Sequence, residues 1–565
     1  MRRRLEPSTA AWLGLGLLLA AGAIFILREN RATLFWIDEW SWAFERHGAA
    51  PDTWLDPHNE HLSLVPLAIY RLLFTTAGLD DYLPYRLVGL VAHLGCVVLL
   101  FEYVRRRVGD FLALLAAASL LLLGPAWQDI LWPFQIGYLV SIAAGVGALL
   151  LLDRGDRGGD AGACALLALA LASSGIGLAV AAGLVVEIAL ARRRPRDAWI
   201  VAAPLAVYGI WWLGYQDTEL IKHNVVVAPG FVADAAAGVL SGLAGLGGTV
   251  IGENPQTLGW GRPLAVAALA VLAWRVARGG PVPARAASLA TILLAFWFAT
   301  ALRRAQISAP VESRYVYVGA VFALLLAAEL ARGAALPRGA AALAAVVVAL
   351  AILSNLGDMR DGGRFLREQA DSARAVLGAL ELARPAVPPD HVATAFPGYP
   401  FVVVHADAYF DAAAQYGTPA ATPAELESSS AAARAAADAE LVAIHEPALR
   451  PAGSRPPLGR APAVAGTSGG SLEERGRCID FRAEPGSPPS LELTLPAQGV
   501  LLTAGAGPAT VAVRRFADAF PEEPLATLPP ATPALLRVAQ DGSPRPWRLR
   551  LAPEGRVTAC GLRGT

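Results

Sequence analysis

Eleven apolar runs fill the first 355 residues, at about 10–27, 84–104, 110–124, 134–152, 161–173, 176–191, 198–215, 262–278, 286–302, 314–332 and 338–355. At 1.5 Å of rise per helical residue, most of them approach the thickness of a bilayer core, and tilt or local thinning accommodates the shorter ones. Of 565 residues, 55% are hydrophobic and 17% charged, more apolar side chain than a soluble core of this size can bury. The chain therefore reads as a multi-spanning membrane protein. Its formal net charge of zero argues against a nucleic-acid partner, which needs a basic surface.

The N-terminal stretch MRRRLEPSTAAWLGLGLLLAAGAIFIL has no clear small-residue cleavage site and reads as an uncleaved helix. Lys and Arg bias a loop to the cytoplasm. Six groups carry them: Arg2–Arg4, Arg105–Arg107, Arg154 with Arg157, Arg192–Arg196, Arg275 with Arg278 and Arg285, and Arg332 with Arg338. Eleven spans place all six inside, with the N-terminus in and the C-terminus out. The apolar stretches 61–79 and 232–252 would each reverse that pattern by crossing alone, so they are expected as interfacial or re-entrant helices on the outer face. If both cross, the count becomes thirteen.

From Asp358 onward the chain turns polar and rich in Pro and Ala. The segments SLELTLP, GVLLTA, ATVAVRRF and PWRLRLAP alternate like strands between Gly and Pro, so residues 475–565 read as a small β-sandwich-like unit. Cys478 and Cys560 lie near its two ends; they form a disulfide in an oxidising compartment or remain two free thiols. Three regions follow: 1–357 as the transmembrane domain, with the outer loop 28–83; 358–474 as a mixed α/β linker; and 475–565 as the β-rich domain.

The outer loop LFWIDEWSWAFERHGAAPDTWLDPHNEHLSLVP (34–66) concentrates acids and imidazoles among four tryptophans. The adjacent carboxylates Asp38 and Glu39 have two readings: the acidic part of an interfacial Trp belt, or a catalytic base held near the membrane surface. In DPHNEH, His58, Glu60 and His61 are candidates for substrate contact, and with Glu39 for a divalent metal (Mg or Mn). Capping is the other reading, with Asp56 or Asn59 starting the next helix. Glu45, His47 and Asp52 read as solvated loop. Arg314 and Tyr315 open the tenth span behind Arg303 and Arg304: they are either a phosphate clamp or snorkelling anchors. Gln128 and Asp129 are second-rank outward polar groups, together with Gln135, Lys222 and His223. Trp127 and Trp132 are candidate sugar-stacking faces. No nucleotide-binding Gly-rich motif occurs in a strand–turn–helix context, so any group transfer relies on a pre-activated donor.

The order of IDEW (37–40), HNEHLSLVPLAIYRLLFTTAGLDDYLPYRLVGLV (58–91), RRR (105–107) and SSGIGLAVAAGLVVEIALARRR (173–194) resembles the GT-C superfamily of polytopic glycosyltransferases, which includes protein O-mannosyltransferases and aminoarabinose transferases. The resemblance covers about residues 10–355. It implies a GT-C-like membrane domain, so that with the arginine pattern and the tail composition the chain reads as an all-α polytopic membrane domain of about 11 transmembrane helices followed by an extracytoplasmic α/β region ending in the β-sandwich-like unit. It also implies a sugar donor linked to polyprenyl phosphate, an extracytoplasmic acceptor, a place in a bacterial inner membrane and inversion at the anomeric carbon. Asp38 and Glu39 would be catalytic, and Arg314 with Tyr315 would hold phosphate. The departure from the usual His-Pro at DPHNEH leaves the roles of His58 and His61 open. The rival readings are a lipid-linked sugar transporter or flippase, disfavoured by spans almost free of ionisable residues, and a non-catalytic scaffold on the same shell.

Overall fold

A computed structural model describes residues 8–46, 48–191, 195–216, 221–248, 258–279, 282–333, 337–394, 403–453 and 456–563. Arg2–Arg4, His47, Arg192–Arg194 and residues 249–252, which belong to segments singled out above, lie outside them. The chain forms two compact units, Met1–Arg367 and Glu368–Thr565.

The first unit is helical. In chain order it contains α1 (Thr9–Glu29), α2 (Asp38–Glu45), α3 (Pro51–Leu55), α4 (Leu64–Thr76), α5 (Leu83–Val108), α6 (Asp110–Leu121), α7 (Trp127–Leu131) and α8 (Ile136–Leu152). There follow α9 (Arg157–Leu171), α10 (Ile176–Leu190), α11 (Trp199–Tyr215), α12 (Lys222–Leu243), α13 (Gly261–Gly279), α14 (Ala284–Arg304), α15 (Ser313–Leu330) and α16 (Arg338–Ala383). Every one of the eleven apolar runs forms a helix. Among the described residues, seven helices are long and apolar enough to cross a membrane, or eight if α6 and the segment Gly124–Leu131, bent by 51°, form one broken span. This is an integral membrane protein.

The span assignments differ from expectation at two places. α12 meets the length and hydropathy of a span, because the apolar run continues N-terminally to Lys222 rather than starting at residue 232. Conversely α9, α10, α11 and the apolar part of α13 are shorter helices. Small residues let the short helices pack closely: a Cβ on Gly183 of α10 would sit 2.4 Å from Ile292 Cγ1 and 2.8 Å from the Ser288 carbonyl of α14.

α16 runs on through Asp358 to Ala383, so the composition change does not mark the end of a helix. The second unit continues with α17 (Ala406–Tyr416), α18 (Pro423–Ser428), α19 (Ala431–His445) and a short hairpin of β1 (Val392–Ala393) and β2 (Val404–His405). Its other strands are β3 (Leu449–Pro451), β4 (Val464–Ser468), β5 (Gly470–Arg475), β6 (Cys478–Ala483), β7 (Ser490–Thr494), β8 (Val500–Ala504), β9 (Ala509–Arg514), β10 (Ala526–Leu528), β11 (Ala534–Leu536), β12 (Arg548–Pro553) and β13 (Arg556–Gly561). They form two antiparallel sheets, β10-β9-β12-β7-β4 and β3-β11-β8-β13-β6-β5. The β region thus begins before residue 475, since β3, β4 and β5 are members of these sheets. Cys478 and Cys560 are register partners on β6 and β13, and they are joined in a disulfide. They lie on the sheet face that carries Leu501, Leu535 and Leu562.

Candidate active site

Asp38 and Glu39 are consecutive on α2, so their side chains leave the helix about 100° apart. Glu39 points inward and has no exposure. Its carboxyl accepts from Trp36 N–H (2.8 Å), Tyr70 Oη (2.5 Å), Tyr82 Oη (2.8 and 2.9 Å) and Trp132 Nε1 (2.7 Å). Burial pushes it up to about 7 in spite of these four donors. With its lone pairs filled from four sides, Glu39 has no room for substrate or a metal ion. These contacts anchor the first turn of α2 and favour, of the two expected roles of Glu39, positioning over holding a metal.

Asp38 points the other way and is half-buried. Ile37 before it sits at φ 34°, a conformation that a β-branched residue rarely adopts, and this kink sets the direction in which α2 starts. Asp38 Oδ2 accepts from Asn59 Nδ2 at 3.3 Å. Burial raises its carboxyl above the ordinary value, and the nearby charge of Arg314, the Asn59 amide and Arg304 hold that rise back.

The His58–His61 segment is a tight turn in which the two histidines exchange backbone hydrogen bonds of 3.1 and 2.9 Å. Asn59 and Glu60 both have positive φ, at 49° and 70°. Arg304 Nη2 donates to the Asn59 carbonyl (2.9 Å), and Gln216 Nε2 donates to the Glu60 carbonyl (3.1 Å). Neither Asp56 nor Asn59 caps α4, whose N-cap residue is Ser63; Asp56 ends α3, and Asn59 faces Asp38 instead. Burial with Arg46 and Arg304 pushes His58 down to about 3, and burial with Arg304, His58, Arg314 and Arg303 does the same to His61. Both imidazoles are therefore neutral at physiological pH. His61 also fits the tip between α9 and α10: a Cβ on Gly175 would meet its Nδ1 at 2.8 Å.

Arg303 and Arg304 end α14, and Arg314 lies in the first turn of α15. Arg303 approaches Glu60 at 3.8 Å. Arg314 has no hydrogen-bond partner among the described residues, its buried Nε included. Asp129 faces its charge from α7: this carboxylate is buried, and neither oxygen has a hydrogen-bond partner among the described residues. Gln128 ties to the start of α15 through its backbone N–H on Ser313 Oγ (3.0 Å) and its Nε2 on Glu312 (3.3 Å), while its buried Oε1 has no partner among the described residues. Tyr315 is buried with its ring 6.2 Å from that of Phe296 and 5.4 Å from the Arg314 guanidinium.

The structure therefore brings together Asp38, Asn59, His61, Arg304, Arg314 and Asp129. Glu60 lies 3.8 Å from Arg303, while Lys222 and His223 are exposed at the start of α12, whose Asn224 bonds the Leu302 carbonyl at the end of α14. Trp127 and Trp132 are buried, Trp132 on Glu39, and offer no face to a sugar. The residues present do not fit the expected divalent ion: Glu39 is saturated by donors, Glu60 pairs with an arginine, and among the described residues no three His, Cys, Asp or Glu side chains form a metal-holding group. Sequence reasoning missed Tyr70, Tyr82 and Trp132 as the supports of Glu39, and it treated Asn59 only as a cap.

No family model and no curated protein matches the chain. Among solved structures it is similar to ArnT from Cupriavidus metallidurans bound to undecaprenyl phosphate, with 16% identity over 73% of this chain and 90% of that one and a TM-score of 0.42. The apo state of the same protein gives 15% identity, the same coverage and a TM-score of 0.44. The arabinofuranosyltransferase AftD from mycobacteria gives 10% identity over 99% of this chain and 59% of that one, with a TM-score of 0.35.

Proposed function

We propose that the helical unit is a GT-C-like glycosyltransferase that moves a sugar from a polyprenyl-phosphate donor to an extracytoplasmic acceptor, whether a glycan, a lipid or a protein. The observation that carries this reading is a half-buried carboxylate, Asp38, that senses the charge of an arginine, Arg314, whose buried Nε has no hydrogen-bond partner among the described residues. The sequence resemblance over residues 10–355 points the same way. On this reading the basic loops lie in the cytoplasm and Asp38 opens to the other side.

Asp38 takes the proton of the acceptor nucleophile as that atom bonds to the anomeric carbon. The bond from that carbon to the phosphate oxygen breaks, the electron pair leaves with the phosphate, and the sugar inverts. A base must be ionised yet basic enough to receive a proton, and the opposed effects of burial and Arg314 on Asp38 suit that task. Arg314, with Arg303 and Arg304 at the adjacent helix end, would hold the growing charge on the leaving phosphate. Glu39 acts through α2 as a positioning residue.

The test is Asp38→Asn in membranes supplied with a panel of polyprenyl-phosphate sugars, following release of polyprenyl phosphate. Turnover should fall at least about 10²-fold, the usual worth of a general base, while native mass spectrometry still detects bound lipid phosphate. Full turnover in Asp38→Asn sinks the mechanism. Binding of the lipid without turnover by the unaltered protein would select the scaffold instead.

A further inference from the structure

The outer face of the five-stranded sheet carries a charge pattern that a sheet does not adopt for its own stability. Strands β7 and β12 alternate between half-buried and buried positions, which sets Glu492, Thr494, Arg548 and Arg550 on one face. Arg548 lies directly opposite Thr494 on β7 and directly opposite Arg514 on β9. Like charges in directly opposed cross-strand positions are destabilising. Arg545 enters from the segment before β12, and a cavity of about 210 Å³ opens between Ala465, Glu492, Arg514, Arg545, Pro546 and Arg548. It thus holds three guanidinium groups and one carboxylate.

That carboxylate does not neutralise them. Glu492 stands 3.7 Å from Arg514, and Arg545 reaches Glu427 only at 3.8 Å. Arg548 donates to Thr494 Oγ1 (2.7 Å) and Arg514 to the Ala517 carbonyl (2.6 Å), both neutral acceptors. The Nε of Arg514 is buried with no partner among the described residues. Phe520 packs against the guanidinium groups of Arg514 and Arg550, at 4.8 Å each, which fixes both side chains on this face.

We infer that this cavity binds an oxyanion, the phosphate or carboxylate of a ligand about the size of one sugar residue. Planar guanidinium groups match both oxyanions with paired hydrogen bonds. At roughly 30 Å³ per water the cavity has the space of about seven waters, more than a bare phosphate fills. The inference concerns the second unit alone and stands whether or not the first unit transfers sugars.

The experiment is titration calorimetry on the full chain in detergent with glucose 1-phosphate, glucuronate and neutral glucose. One or both anions should bind with a Kd below about 1 mM, and glucose should not. Phosphate binding alone assigns a phosphorylated ligand, and glucuronate binding alone an acidic sugar. The double variant Arg514→Gln/Arg548→Gln should weaken binding at least tenfold. If that variant does not fold, Arg548→Lys decides: it keeps the charge but loses the paired donors, so anion binding should weaken about threefold or more, and binding in the unaltered protein must weaken between about 50 mM and 500 mM salt. Absence of anion binding, equal binding of glucose, or binding insensitive to both salt and the arginines overturns the inference.

Discussion

Helix α15 carries a buried charge at each end, and the two ends treat it in opposite ways. At its C-terminal end Glu329 meets Arg107 at 2.9 Å, Arg332 at 3.2 Å and Tyr103 Oη at 3.2 Å. Arg107 also pairs with Asp153 (2.9 Å), and Arg285 bridges Asp153 (3.2 Å) and Glu187 (2.7 Å). Four helices (α5, α10, α14 and α15) and the turns after α8 and α15 are tied there with every charge answered. At the N-terminal end, about 20 Å away at 1.5 Å per residue, Arg314 and Asp129 sense each other's charge but make no hydrogen bond. Taking a charge out of water is costly, and a well-folded chain ordinarily satisfies it. The paired end holds helices together; the open end is suited to a ligand that completes it.

The comparison breaks if the paired end proves dispensable. Glu329→Ala leaves Arg107 half-paired in a buried site and should cost about 3–5 kcal/mol in unfolding, with turnover per folded molecule unchanged. Denaturation in mild detergent and expression-normalised activity would measure the two. A loss of turnover without a loss of stability would reverse the assignment of the ends.

Glu39 is a third case, a buried acid satisfied by neutral donors. Its carboxyl is raised from 4.5 to about 7, so the folded state holds that proton more tightly than the unfolded chain. Its contribution to stability is full below about pH 4.5 and is lost as pH rises through about 7. At 1.36 kcal/mol per pK unit the span is on the order of 3 kcal/mol. The stability of the unaltered protein minus that of Glu39→Gln should therefore fall from pH 5 to pH 8. A flat or rising difference would show that the four donors hold a comfortable carboxylate.

Arg314→Gln sharpens the contrast from the open side. Turnover should drop about 10²-fold, less than for loss of a sole clamp because Arg303 and Arg304 remain. The melting temperature should hold or rise, since no hydrogen bond is lost and Asp129 can take up a proton. A large fall in melting temperature would place Arg314 with the structural charges.

Much of this was legible in sequence. Apolar runs located all eleven expected helices because burial in lipid demands continuous hydrophobicity, and the strand alternation located much of the sheet region. Hydropathy did not locate helix ends, as α12 and α16 show, because a helix extends wherever its backbone is satisfied. The acidic pair was visible, but its division of labour was not. Which of two adjacent side chains turns inward depends on the kink at Ile37 and on Tyr70, Tyr82 and Trp132, which come from three distant segments. Likewise the open state of Arg314 is a fact about missing partners, and a sequence does not display those.

The smallest effect tests how finely the open end is tuned. Asn59 donates to Asp38 from a residue at φ 49°, a conformation that glycine adopts without strain. Asn59→Gly therefore removes the amide and spares the turn. Losing a hydrogen bond to the ionised form raises the Asp38 carboxyl further, so a smaller share of it is ionised at any given pH. The acidic limb of the kcat/KM profile should move to higher pH, with a loss of about threefold to tenfold on that limb that shrinks as pH rises. A uniform loss with an unmoved limb would make Asn59 a brace of the turn, with no part in setting the base.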